Sequence, residues 1–349
     1  MLREMSSTTI DGAVDLYARS LRELLQDYQN IRFGTTEWND ANDLAHLLIA
    51  ELVAARHEAS GNNFWRSYQT FTDSTVQAEA LVALGELKVE SRFTDVVWVV
   101  NTLNAKPNST NRQNDENIAA GGFTALEKYG NQEGYLAAFI GSESWYREFV
   151  KQRARSAFNA LLKDPAQLLP DIILPTQYSP IVKQRALEYV DSSSIDNSQK
   201  AEIASKALVQ GSRTISSDPG VTQGLVDYRR AALQMIRKYG IDQATETYTA
   251  LSRSLNTGNV YEKLDCIPAL GSVKTPEAAT IIYDYLRMLN DNRILANSQP
   301  IDDRLMRSLI PAMRESNDTR AQEIFRQTLS APWSNTVLAM AQEALDGTR

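Results

Sequence analysis

The chain has 349 residues, 43% hydrophobic and 23% charged, with 16 Gly, 11 Pro and a single Cys. That composition excludes collagen-like, low-complexity and disulfide-stapled chains, and the shortage of turn residues favours long regular elements with short connections. The formal net charge of −7 weighs against nucleic acid as a partner, because a duplex-binding protein needs a basic footprint.

From the N-terminus, Met1 to Ile10 carries no apolar stretch and is not expected to be a secretory leader. A cytoplasmic location is the default expectation, with a periplasmic or other extracytoplasmic one if a leader has been removed. Val14, Tyr17, Leu21, Leu24, Leu25 and Tyr28 fall on one helical stripe, and Leu44, Leu47, Leu48 and Leu52 on another. Followed by Phe64, Trp65 and Tyr68, these two amphipathic helices read as an N-terminal helical capping region over 1–72. The apolar stretch 44–55 contains His46 and Glu51 and is far short of the ~20 residues that span a bilayer. The run 96–100 is shorter still, so a soluble protein is expected.

From residue 73 onward a pattern recurs. Anchored on Leu84, Leu126, Leu161, Val190, Ile236, Leu270, Met313 and Leu345, each segment has a residue four before the anchor that is small in most copies: Ala80, Gly122, Ala157, Ala186, Ala232, Cys266, Leu309 and Ala341. The spacing averages about 37 residues, within the range of helical repeats. Positions 0, −3, −4 and −8 share one helical face, and the small residue at −4 is expected to admit a neighbouring helix closely. Second helices are predicted over 93–103, 132–140, 166–174, 199–209, 242–255, 277–289 and 319–329. Asp164-Pro165 and Thr275-Pro276 provide N-caps followed by Pro at the first helical position, while Gly130 and Gly240 stand where helices end. A polar stretch over 211–224 is read as an insertion. Strand signals are almost absent.

Antiparallel helix pairs at this spacing, with Ala83-Leu84-Gly85 and Ala269-Leu270-Gly271 closing first helices, resemble HEAT repeats. Arg153, Lys183, Arg229 and Lys263, ahead of the apolar cores, are similar too. The resemblance implies an all-α, right-handed α-solenoid of about eight HEAT-like helix pairs over 73–349, the first 72 residues being its cap.

Candidate chemistry is sparse. The only histidines are His46 and His57, so a histidine-built zinc site is not expected. HEAT-like di-iron hydroxylases bind metal through several His-Glu dipeptides; here there is one, His57-Glu58, read as helix surface. Cys266 occupies the packing position of its repeat and is read as core. Neither a Gly-x-Ser-x-Gly elbow nor a phosphate loop occurs. Asp115-Glu116 and Asp302-Asp303 stand near helix starts, where acids favour the positive dipole end, and are read as caps. The basic-aromatic segments 145–155 and 227–230 are read as a solvated face with Arg stems over aromatics.

The chain is therefore expected to have no catalytic residue, metal or cofactor. Two positions before the last leucine of four second helices stand Asn101, Arg253, Arg287 and Gln327. Rotated about 200° from that leucine, they are predicted to form a polar ladder on the inner, concave surface, with Trp98, Tyr248, Tyr285 and Phe325 nearby and mostly packed. The expected function is a non-enzymatic interaction scaffold binding a protein or peptide partner there. The alternatives are a HEAT-like enzyme, a nucleic-acid-binding protein using the groove, or a structural subunit of a larger assembly.

Overall fold

A computed structural model describes residues 12–106 and 110–347, and these contain helices but no strand. The chain divides into two compact units, Met1–Lys163 and Asp164–Arg349. The first contains α1 (Ala13–Asp27), α2 (Thr36–Ala54), α3 (Gly61–Thr70), α4 (Ser74–Glu86), α5 (Phe93–Asn104), α6 (Arg112–Tyr129), α7 (Tyr135–Ser142) and α8 (Glu148–Leu161). The second contains α9 (Pro180–Ser192), α10 (Asn197–Arg213), α11 (Pro219–Tyr239), α12 (Thr245–Thr257), α13 (Val260–Val273), α14 (Pro276–Ile294), α15 (Asp302–Glu315), α16 (Ala321–Ser330) and α17 (Asn335–Gly347).

Within each unit, helices pack on their sequence neighbours and on the next helix but one. In the second unit α9, α11, α13, α15 and α17 form one row and α10, α12, α14 and α16 the other. In the first unit α2, α4, α6 and α8 form the corresponding first-helix row. The anchors and most residues at −4 are wholly buried, among them Leu84, Ala80, Leu270 and Cys266. The closest approach, however, lies elsewhere in the register. A Cβ on Gly85 would stand 2.5 Å from the Ala125 carbonyl oxygen, and one on Gly271 2.9 Å from Ala312 Cα. The glycine that closes each Ala-Leu-Gly motif is thus the point where one first helix touches the main chain of the next, one residue before that helix's anchor. Gly121 adds a second such contact, against Ala78 Cα at 2.7 Å.

A further regularity follows the anchors. Four residues beyond them, Lys88, Gly130, Gly240, Lys274 and Asn317 have φ of 48, 67, 91, 53 and 55°. Such left-handed residues release the chain from a helix and let late amides reach back to otherwise unpaired carbonyls. The Val89 amide accordingly donates to the Leu84 carbonyl at 3.0 Å. Arg56, four beyond Leu52, has φ 52°, and the His57 amide donates to the Leu52 carbonyl at 3.0 Å. Helix α2 therefore ends in the same cap as α4. Lys274 is exposed and has a Cβ in a region that disfavours one. Replacing it with Gly is expected to raise the unfolding free energy by roughly 0.5–1 kcal/mol, the relief of strain outweighing the added freedom of the unfolded chain. Urea denaturation of the two proteins checks this, and an unchanged midpoint would count against the strain.

Two stretches differ from expectation. Residues 166–174 do not form an α-helix: Pro165–Gln167 is a 3-10 turn and Leu169–Ile173 a π turn, closed by the Leu174 amide on the Leu169 carbonyl at 2.9 Å. Pro170 has no amide to give to an α-helical ladder, and Pro165 and Pro175 bound the segment. Leu168, Ile172 and Ile173 are still fully buried, so the segment fills its place in the core. The stretch 211–224 is largely helical, since α10 runs to Arg213 and α11 begins at Pro219, capped by Asp218 on the Val221 amide. Gly211 is there for contact rather than for a loop: a Cβ on it would lie 2.9 Å from Arg229 and 3.0 Å from Tyr228.

Candidate functional site

The second-helix row of the second unit carries the site. Between α12 and α14 runs an open groove of about 810 Å³, lined by Thr245, Tyr248, Thr249, Ser252, Arg253 and Thr280 among others. It is rich in hydroxyls because the threonines and serines of α12 fall on its outer face, while Thr247, Ala250, Leu251, Ser254 and Leu255 face the core. Tyr248 is half-buried and its hydroxyl donates to Thr275 Oγ1 at 2.9 Å, bracing the groove wall. A second cavity, of about 360 Å³, lies beside the C-terminal end of α12, and Arg253 lines both.

Of the four ladder residues, Arg253, Arg287 and Gln327 stand on the successive second helices α12, α14 and α16, and Asn101 on α5 of the first unit. Asn101, Arg253 and Arg287 are exposed and Gln327 is half-buried. Arg253 Nη1 donates to the Ser212 carbonyl at 2.8 Å, whereas Arg287 lies 3.8 Å from Asp284 and 6.0 Å from the Tyr283 ring. Tyr285 and Phe325 are buried as expected, but Trp98 is 62% exposed. Val96, Val99, Val100 and Leu103 form the buried stripe of α5, and Trp98 stands off it.

Elsewhere the cysteine and the two histidines are each engaged in a hydrogen bond. Cys266 is fully buried, its thiol donates to the Leu251 carbonyl at 3.4 Å, and burial pushes its pKa far up, with Glu262 and Asp265 adding to the effect. It stays a thiol and is no nucleophile. His46 Nδ1 lies 2.6 Å from Glu79; that hydrogen bond raises its pKa against the opposing pull of burial. His57 Nδ1 pairs with Ser60 at 2.8 Å. Among the described residues no three His, Cys, Asp or Glu side chains converge as metal ligands would. No helix there is long and apolar enough to cross a membrane.

The acidic pairs split. Asp302 lies in the first turn of α15, where its charge suits the helix dipole, but it accepts from the Gln299 amide ahead of the helix at 2.7 Å and not from a first-turn amide. Glu116 does not cap its own helix. Its buried carboxylate accepts from the Arg147 amide at 2.8 Å, from Arg147 Nε, and from Arg112 Nε at 3.1 Å. It therefore caps α8, the next first helix. The basic segments are likewise engaged rather than merely solvated: Arg229 binds Glu262 through two hydrogen bonds of 2.8 Å, and Arg230 Nε reaches Asp265 at 2.6 Å, tying α11 to α13.

Sequence reasoning missed Ser254. It is 2% exposed, and its hydroxyl has no hydrogen-bond partner among the described residues. Its signal was a hydroxyl one position before Leu255, on the packed face of a helix.

No family model matches this chain, and no curated protein does. Among solved structures it is similar to human deoxyhypusine hydroxylase in complex with glycerol, at 13% identity and a TM-score of 0.30, over 97% of this chain and 99% of that one. A likeness of that size carries no argument about fold or chemistry.

Proposed function

We propose that both units are segments of a HEAT-type, right-handed α-solenoid and that the chain is a non-enzymatic scaffold. It binds a protein or peptide partner on its second-helix face. The observation that carries this reading is the open groove between α12 and α14, in which Arg253 stands among hydroxyls on consecutive second helices. An open, arginine-bearing trough with hydroxyls set along a largely apolar wall suits a partner chain better than a small substrate, since arginine and tyrosine are favoured at interface hot spots. The two helix rows support the solenoid part, because each helix of a solenoid meets only its near neighbours. The left-handed cap at Arg56 makes α2–α3 a repeat in this reading.

The test is affinity capture from native lysate by the tagged chain and by an Arg253→Glu/Arg287→Glu variant with unchanged circular dichroism. One protein enriched by the parent and reduced about tenfold or more by the variant is expected, a loss of ~1.4 kcal/mol or more. Equal enrichment by both, or none by either, would overturn the reading.

A further inference from the structure

The 360 Å³ cavity beside α12 is built differently from the groove. It is lined by Ile215, Arg229, Arg253, Ser254, Thr257 and Glu262, with Ser212 and Gly258 completing the wall. A guanidinium has five N–H donors. Arg229 directs two of them to the carboxylate of Glu262 and one to the Gly211 carbonyl at 3.3 Å. Arg253 gives one to the Ser212 carbonyl. Glu262, whose side chain is 2% exposed, has both oxygens engaged by Arg229. One cation is cancelled and one is left over. The Ser254 hydroxyl, sealed from solvent and unpartnered among the described residues, adds a further donor. The cavity thus carries one positive charge that no carboxylate in its lining cancels and one hydroxyl without a partner, and a buried polar group without a partner is a standing cost in the unliganded protein.

We propose that this cavity binds the oxyanion head group of a small molecule, a phosphate or carboxylate. Arg253 and the Ser254 hydroxyl donate to it, and Arg229, neutralised and held in place by Glu262, forms the wall behind them. The volume lies at the lower end of small-molecule sites, which run from about 300 to 1,000 Å³, and leaves room for a few carbons beyond the anion. Ile215, 92% exposed on the 214–218 connection, offers those carbons an apolar edge. The site does not depend on the scaffold reading, although the shared Arg253 would let an occupied cavity alter the groove.

Inorganic phosphate, O-phosphoserine and succinate are titrated into the full chain by calorimetry. At least one is expected to bind with a Kd of about 1 mM or tighter. Tighter binding of phosphoserine than of phosphate identifies an esterified head group; equal binding identifies the free anion; preference for succinate identifies a carboxylate. Ser254→Ala should melt at the parent temperature or above it, since it removes an unpartnered hydroxyl, and yet weaken binding about tenfold. Arg253→Gln, at an exposed position, should weaken binding to a similar degree. Absence of binding by all three probes, or an affinity equal to the parent's in either Ser254→Ala or Arg253→Gln, would overturn the proposal.

Discussion

Replacing Gly85 with Ala should destabilise the first unit by about 2–4 kcal/mol, the opposite of the ~1 kcal/mol gain that Gly→Ala gives inside an ordinary helix. The intrinsic term favours Ala, because a glycine loses more backbone freedom on folding. The packing term opposes it and is larger. The new methyl would lie 2.5 Å from the Ala125 oxygen, 2.6 Å from its Cα and 2.9 Å from its carbonyl carbon. These are main-chain atoms of α6, so no rotamer change relieves the clash, and α4 and α6 must move apart. Separation would also open the Gly121–Ala78 contact on the same pair of helices. Gly271→Ala should cost less, since its nearest neighbours lie at 2.9 and 3.0 Å and one of them is a methyl group. Urea midpoints should fall in the order parent, Gly271→Ala, Gly85→Ala. Adding Ala125→Gly to Gly85→Ala should not rescue it, because the Ala125 methyl is not the obstacle. A Gly85→Ala midpoint at or above the parent's would show that the two helices are free to part.

These contacts explain how far the repeat could be read from sequence. A helix face is periodic in sequence, so the anchors and the small residues at −4 marked the first helices and their buried side. Which small residue sets the helix spacing depends on the rotation of one helix against the next, and no single-helix pattern contains that rotation. The same holds for the caps. Gly130 and Gly240 were legible as helix ends because glycine tolerates left-handed φ. Lys88, Lys274 and Arg56 take that conformation without the residue that advertises it, so the cap register of α2 was hidden within what read as an N-terminal cap. At 166–174 the hydrophobic periodicity was correct about burial and silent about the missing amide of Pro170.

The candidate site divides along the same line. That Arg253, Arg287 and Gln327 occupy successive second helices follows from counting residues along each helix. What they touch does not. Arg253 turns to a carbonyl at the end of α10, a contact 41 residues away, and Ser254 is conspicuous only because its surroundings offer it nothing. Of the four aromatics expected mostly to pack, Trp98 is the exposed one, because its helix buries a valine-rich stripe instead.

Removing the Glu116 carboxylate should be the most damaging change to a charged residue in the first unit. The side chain is wholly buried, and three donors converge on it: the Arg147 amide, the Arg147 guanidinium and Arg112 Nε. Breaking one side of a buried pair costs about 3–5 kcal/mol when the other charge stays buried. Here Arg112 and Arg147 keep about half of their side-chain surface exposed and can rehydrate. The Arg147 amide at the head of α8 cannot do so as readily. Glu116→Ala is therefore expected to lose about 2–3 kcal/mol, with Glu116→Gln intermediate because its amide oxygen still accepts one bond. The pH dependence gives a second, independent reading. Burial pushes the Glu116 pKa up, but the hydrogen bonds from Arg147 and Arg112 together outweigh it and leave the pKa below its ordinary value of 4.5. A carboxylate with a lowered folded pKa contributes its stability fully above the unfolded pKa and loses it as the pH falls through the folded one. The gap in urea midpoint between the parent and Glu116→Gln should hold steady from about pH 8 to 6 and narrow below about pH 4.5 as the unfolded chain gains the proton first. A gap that stays constant into acid would mean that the carboxylate acts through its shape alone, and no gap at pH 7 would mean that α8 is held at its head by something other than Glu116.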